Sequence, residues 1–175
     1  IRDSLSLTLG YSREAWRLEA GYSLFAQKLG VMQSAQMGNE QLLQERIRLG
    51  RPVDIMPFSR HIGYPFQQIN HHTAYFKAFF DYQNIGHFAF QSTFQQDNRR
   101  ENRIRRQNHS DIPTVSLHLN SWQNALVWNK GYGQWKSEAG AQMLVTDNHN
   151  ERGTGVVPII PNYSEVAFGL YALQK

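Results

Sequence analysis

Apolar and polar residues alternate along this chain in segments whose connections run short, then long, then short again. From Ser4 to Ser12 the odd positions are Leu5, Leu7, Leu9 and Tyr11, and the even ones are Ser4, Ser6, Thr8, Gly10 and Ser12. Successive strand side chains point to opposite faces, so this segment predicts a strand with one apolar and one polar face. After Ser12-Arg13-Glu14 the pattern resumes, with Trp16, Leu18, Ala20, Tyr22 and Leu24 on one face. Arg17, Glu19, Gly21 and Ser23 lie on the other, with Phe25 as an exception.

A long connection from Lys28 to Asn70 leads to a third strand, His71 to Tyr82, which Gln83-Asn84-Ile85-Gly86 turns into a fourth, His87 to Gln96. Asn and Gly accept the positive φ that tight hairpins need. A second long connection, Asp97 to Pro113, precedes a fifth strand, Thr114 to Asn129. Its apolar phase slips from Val115, Leu117 and Leu119 to Trp122, Leu126 and Trp128, which predicts a bulge between Asn120 and Asn124. Lys130-Gly131-Tyr132-Gly133 turns into a sixth strand, Gln134 to Asp147, and a third long connection, Asn148 to Ser164, leads to a seventh, Glu165 to Leu173. Within the first long connection Leu42, Leu43, Ile47 and Leu49 fall near helical spacing before Gly50. This predicts a short amphipathic helix between Asn39 and Gly50 that packs on its own loop.

Short turns thus follow the first, third and fifth strands, and long connections follow the second, fourth and sixth. A soluble meander does not force that alternation, whereas outer-membrane barrels keep short turns on the periplasmic side and long loops outside. The segments exceed the usual strand of about five or six residues and suit a tilted membrane crossing of about nine to eleven. A face rich in Gln, Thr and Ser is costly in a dry core, and rows of Phe and Trp are costly in water. The expectation is an all-β fold: a segment of an antiparallel transmembrane β-barrel, with Leu5, Leu7, Leu9, Trp16, Leu18, Phe76, Phe80, Phe88, Phe90 and Val166 toward lipid. A soluble β-sandwich or lipocalin-like binding module is the competing reading.

Composition narrows the field further. Over 175 residues, 18 Lys and Arg against 14 Asp and Glu leave a net charge of +4, which by itself argues for no nucleic-acid partner. The absence of cysteine excludes disulfides, thiolate metal sites and a cysteine nucleophile within the chain. No run approaches the twenty or so apolar residues of a membrane helix. No signal peptide is visible at Ile1, and the alternation is already under way at both ends. Residues 1–175 therefore read as one partial barrel domain, an internal piece of a longer protein without its plug.

Three tracts carry a resemblance. Pro65-Phe66-Gln67-Gln68-Ile69-Asn70-His71-His72 runs into one strand, and Phe94-Gln95-Gln96-Asp97-Asn98-Arg99-Arg100-Glu101 ends the next. Gly153-Thr154-Gly155-Val156-Val157-Pro158-Ile159-Ile160-Pro161-Asn162-Tyr163 leads into another, and Gly30 and Met37-Gly38-Asn39 flank and occupy the first long loop. In order and spacing the chain resembles the middle of the barrel of a TonB-dependent outer-membrane receptor of Gram-negative bacteria. The resemblance implies a barrel of about 22 strands filled by an N-terminal plug. It also implies import of a scarce ligand such as a ferric siderophore, haem, cobalamin or oligosaccharide, driven by the TonB complex through parts outside this chain. The remaining strands, the plug and outer-membrane lipid would be its other partners. A passive porin-like or structural barrel shares the strand pattern.

Recognition chemistry is expected on the loops, which a rigid scaffold holds in place. Arg99, Arg100, Arg103, Arg105 and Arg106, with His109 beside them, form a basic cluster suited to carboxylate, phosphate or ferric-siderophore anions. Lipopolysaccharide phosphates or plain solvation would use the same residues. His71 and His72 are strand neighbours and point apart, while His61, His109 and His149 fall in expected outer loops; no metal or other cofactor is assigned. No Gly-x-Ser-x-Gly, His-Glu-x-x-His or phosphate-binding glycine loop occurs, and contiguous His109, Ser110 and Asp111 do not make a triad. No enzymatic activity is expected.

Overall fold

Alternation of period two can be satisfied only where neighbouring strands register their faces, and this chain does so six times in succession, across seven strands. The computed structural model describes residues 1–31, 40–51, 57, 59–103 and 110–175. Its strands are β1 (Arg2–Arg13), β2 (Trp16–Gly30), β3 (Phe66–Tyr82), β4 (Gly86–Asn102), β5 (Val115–Tyr132), β6 (Trp135–Asn150) and β7 (Tyr163–Gln174). They form one antiparallel sheet in sequence order, open at β1 and β7, so a closed barrel is not part of the described fold. Helix α1 (Glu40–Leu49) forms where the apolar spacing predicts it. It ends at Gly50, whose φ of 63° suits a C-terminal cap. Ile47 is two-thirds exposed, and the loop on which this helix is expected to pack lies largely outside the described residues. Met37, Gly38 and Asn39 lie outside them.

The register assigns every side chain to a face. The Leu7 face carries rows such as Leu7, Tyr22, Ala74, Phe94, Trp122, Val145 and Val166, each directly opposite the next. Leu5, Leu7, Leu9, Trp16, Leu18, Phe76, Phe80, Phe88, Phe90 and Val166 all stand on this face of the sheet. The Thr8 face carries Thr8, Gly21, Tyr75, Thr93, Gln123, Leu144 and Ala167 in the adjacent row. Its polar groups pair across strands, with Lys77 Nζ 3.2 Å from Glu19 Oε1 and Tyr171 donating to Glu138 at 2.9 Å.

The strands outrun the sequence-based bounds at the long-connection end. There the Leu7 face turns polar along a single row, His72, Gln96, Asn120, Asp147 and Ser164, one step beyond Ala74, Phe94, Trp122, Val145 and Val166. Gln96 donates to Asn120 at 3.2 Å and Ser164 to Asp147 at 2.6 Å, so the row satisfies itself. On β5 the opposite face becomes apolar at that level, with Val115, Leu117 and Leu119. This inversion explains the phase slip, and the expected bulge is absent: pairing runs unbroken from Leu119 opposite Asn148 to Asn124 opposite Met143.

The short turns step along the sheet. Arg13 pairs with Trp16, Tyr82 with Gly86 and Tyr132 with Trp135 across them. Trp16 stands opposite Phe80 and His87 opposite Asn129, so each turn lies two residues beyond the one before. One residue per strand, about 3.4 Å against a strand spacing of about 4.8 Å, brings the turns level only if the strands tilt by about 35°.

The distribution of burial is the reverse of a soluble domain. Phe66 and Ala78 are the buried apolar residues among those described, while Asn102, Thr114, Ser116, Thr146, Asn148 and Asn150 are buried polar ones. The accessible surface is 13433 Å², where a compact monomer of this size exposes roughly 8,800 Å². On the uncovered Leu7 face Leu170 is 85% exposed and Phe168 76%.

Candidate functional site

In an antiparallel meander alternate connections meet at one edge, and here residues 31–65, 103–114 and 151–162 all leave the same end of the sheet. Backbone bonds knit that end together. Val31 N–H donates to Pro65 at 2.9 Å, Thr114 N–H to Glu101 at 2.7 Å, Glu151 N–H to Ser116 at 2.9 Å and Gly155 N–H to Pro113 at 2.9 Å. Buried Asn102 closes the second connection by donating from Nδ2 to the carbonyls of Ser110 and Asp111, at 3.0 and 3.1 Å.

Residues 151–162 fold back over the Thr8 face. Asn148 and Asn150 project from that face of β6 and are buried beneath the returning chain. Asn148 Nδ2 donates to Pro161 O at 2.9 Å and Asn150 Nδ2 to Ile160 O at 2.8 Å, while Asn150 N–H donates to Asn162 Oδ1 at 2.7 Å. The segment thereby roofs a cavity of about 310 Å³. Its walls are apolar, from Leu117 on β5 and Val156 and Ile160 on the roof, and Arg99, Glu101 and Arg103 provide its charge. Arg99 Nε donates to Glu101 Oε1 at 2.8 Å, and Gln67 donates to the same oxygen at 3.0 Å.

The opposite face carries a second anchor. Ser116 Oγ donates to Glu151 Oε2 at 2.7 Å and His118 Nε2 stands 3.2 Å from Glu151 Oε1, with His118 Nδ1 against Asn98 Oδ1. The Ser116 hydroxyl, then His118, hold the Glu151 carboxyl below its ordinary range, and partial desolvation opposes them.

The basic cluster is divided by this geometry. Arg99 and Arg100 lie on β4 rather than in a loop, so they point to opposite faces: Arg99 toward the cavity, Arg100 away, donating to Asp111 O at 3.4 Å. Arg103 lies just beyond the strand and lines the cavity. Arg105, Arg106 and His109 lie outside the described residues. His149 is likewise on β6 and not in a loop.

Protein-family models, curated proteins and solved structures were each compared with this chain, and none aligns significantly.

His71 and His72 do point apart, His71 Nδ1 standing 3.9 Å from Asp97 and His72 Nδ1 2.7 Å from the Tyr22 hydroxyl. Among the described residues no group of three His, Asp or Glu side chains converges as a metal site would require. Sequence reasoning missed Asn148, Asn150 and the apolar roof. The signal was present: Val156-Val157-Pro158-Ile159-Ile160 is an apolar run inside a connection, where water-facing residues are the rule.

Proposed function

We propose that this chain is a wall segment of a TonB-dependent outer-membrane receptor, with its long connections outside the cell and its Thr8 face toward the lumen. The observation that carries the reading is the apolar band of the Leu7 face, seven strands wide and bounded above on β3 to β7 by a polar row. From Trp16 to Leu24 on β2, eight steps of about 3.4 Å at a tilt of about 35° rise about 22 Å, close to the apolar belt of about 25 Å on outer-membrane barrels. The tilt that would bring the turns level falls at the edge of the range of about 35 to 45° found in such barrels. Aromatic residues stand on the Leu7 face near each short turn, Trp16 at the first, Phe80, Tyr82 and Phe88 at the second and Trp128, Tyr132 and Trp135 at the third, where an interfacial girdle belongs.

In this reading the segment imports a scarce ligand with energy supplied by the TonB complex, and its own residues contribute wall and recognition surface. Fractionation of the intact protein tests the wall: it should partition with the outer membrane, and its unheated form should migrate anomalously in SDS. Recovery as a soluble protein would overturn the assignment. Uptake by energised cells and by cells lacking the TonB complex tests the mechanism, and equal uptake by both would leave only a passive barrel.

A further inference from the structure

We propose that the cavity roofed by residues 151–162 binds a small amphiphilic anion, or the part of a larger ligand with that chemistry; this names the ligand class for the receptor reading above and rests on it. The argument begins with the inversion of polarity along β5. In the lower rows the Thr8 face is mostly polar or small, yet beneath the roof it presents Val115 and Leu117. The roof adds Val156 and Ile160, each about half exposed, and carries Val157 and Ile159 at its edge, 85% and 98% exposed. A slack loop would turn such side chains inward. This one has its backbone pinned by Asn148, Asn150 and the Gly155–Pro113 bond, so apolar groups are presented to whatever enters.

Charge supplies the second requirement. Two arginines, Arg99 and Arg103, face the cavity with one carboxylate, Glu101. Glu101 is matched by Arg99 at 2.8 Å, and Arg103 makes no ion pair among the described residues. An entering anion therefore meets one uncompensated guanidinium beside apolar walls. At about 310 Å³ the space is near the lower end of the roughly 300–1,000 Å³ typical of small-molecule sites. Membrane lipid is excluded by position, since the cavity opens on the face opposite the apolar band.

The chain has no cysteine, so an Ile159→Cys substitution reports the site through its rate of modification by a water-soluble thiol reagent. The experiment uses the intact protein in liposomes, with any cysteine elsewhere replaced by serine. Naphthalene-2-sulfonate should slow labelling about tenfold at about ten times its half-saturating concentration, by simple occupancy, and Arg103→Ala should abolish that protection. Neutral 2-naphthylmethanol and apolar-free methanesulfonate should protect little. No protection by the naphthalene sulfonate, or equal protection by the neutral compound, overturns the proposal. If Ile159→Cys fails to fold, Val157→Cys takes its place. Leu7→Cys separates the two readings: shielded by lipid while position 159 goes unprotected, it leaves the wall standing and the site refuted; freely labelled, it refutes the wall.

Discussion

The phenol of Tyr75 on β3 occupies the space that a side chain on Gly21 of β2 would need. The two are direct cross-strand partners, and a Cβ at position 21 would collide with the ring and stand 2.7 Å from its hydroxyl oxygen. The ring thereby crosses β2 to reach Thr8 on β1, with 3.2 Å between the two hydroxyl oxygens, and links three strands. Gly140 and Tyr171 repeat the arrangement at the other side of the sheet, where the same hypothetical Cβ would lie 2.8 Å from the Tyr171 hydroxyl.

Gly21→Ala should therefore displace the Tyr75 ring and destabilise the sheet by about 1 to 3 kcal/mol, the usual cost of overpacking. Urea unfolding of the protein in detergent measures it. Gly10→Ala, whose Cβ would meet only a backbone oxygen at 3.8 Å, is the matched control and should be nearly silent.

Charge on the two faces should act oppositely. Leu7→Arg and Phe90→Arg place a cation in the apolar band and are expected to cost about 2 to 4 kcal/mol in a bilayer. Gln91→Arg, the strand neighbour of Phe90 on the other face, should fold nearly as wild type. Equal folding yields for all three would remove the lipid-facing assignment.

The unbroken register of β5 can be read chemically. Ser121 and Thr146 are direct partners, so Ser121→Cys with Thr146→Cys should cross-link under mild oxidation. Ser121→Cys with Asp147→Cys should cross-link poorly, because neighbouring strand positions face apart. A bulge between Asn120 and Asn124 would predict disturbed pairing here.

Acid should loosen the roof. The Glu151 carboxyl lies below its ordinary value of 4.5 because Ser116 and His118 bind the charged form. A depressed acid stabilises the folded state fully above its unfolded value, and that contribution disappears as pH falls through the folded one. Hydrogen exchange of residues 151–162 should therefore rise as pH drops below about 4.5, after correction for intrinsic rates. In Glu151→Gln the roof should be looser at neutral pH and lack this acid step.

Much of the wall was legible because strand geometry is local. Leu5, Leu7, Leu9 and Tyr11 must share a face whatever surrounds them, and Gly86 and Gly133, at φ of 114° and 58°, mark turns that favour glycine. Helix α1 was equally readable from its spacing and its terminal Gly50. The apparent slip in β5 misled because a single alternation was assumed to have one apolar face along its whole length. In the structure the surroundings change halfway up, and the apolar face changes with them.

By itself, then, the sequence determined the seven strands, their two-faced character and the order of short and long connections, since period-two alternation and turn residues act over a few neighbours. Tertiary structure decided where the strands end, that Arg99 and Arg100 face apart, and that residues 151–162 fold over the Thr8 face. Those outcomes depend on hydrogen bonds between distant segments, Asn102 to Ser110 across a connection, Ser116 to Glu151 and Asn150 to Ile160. No local pattern announces such bonds, because each needs its partner strand already in register before donor and acceptor can meet.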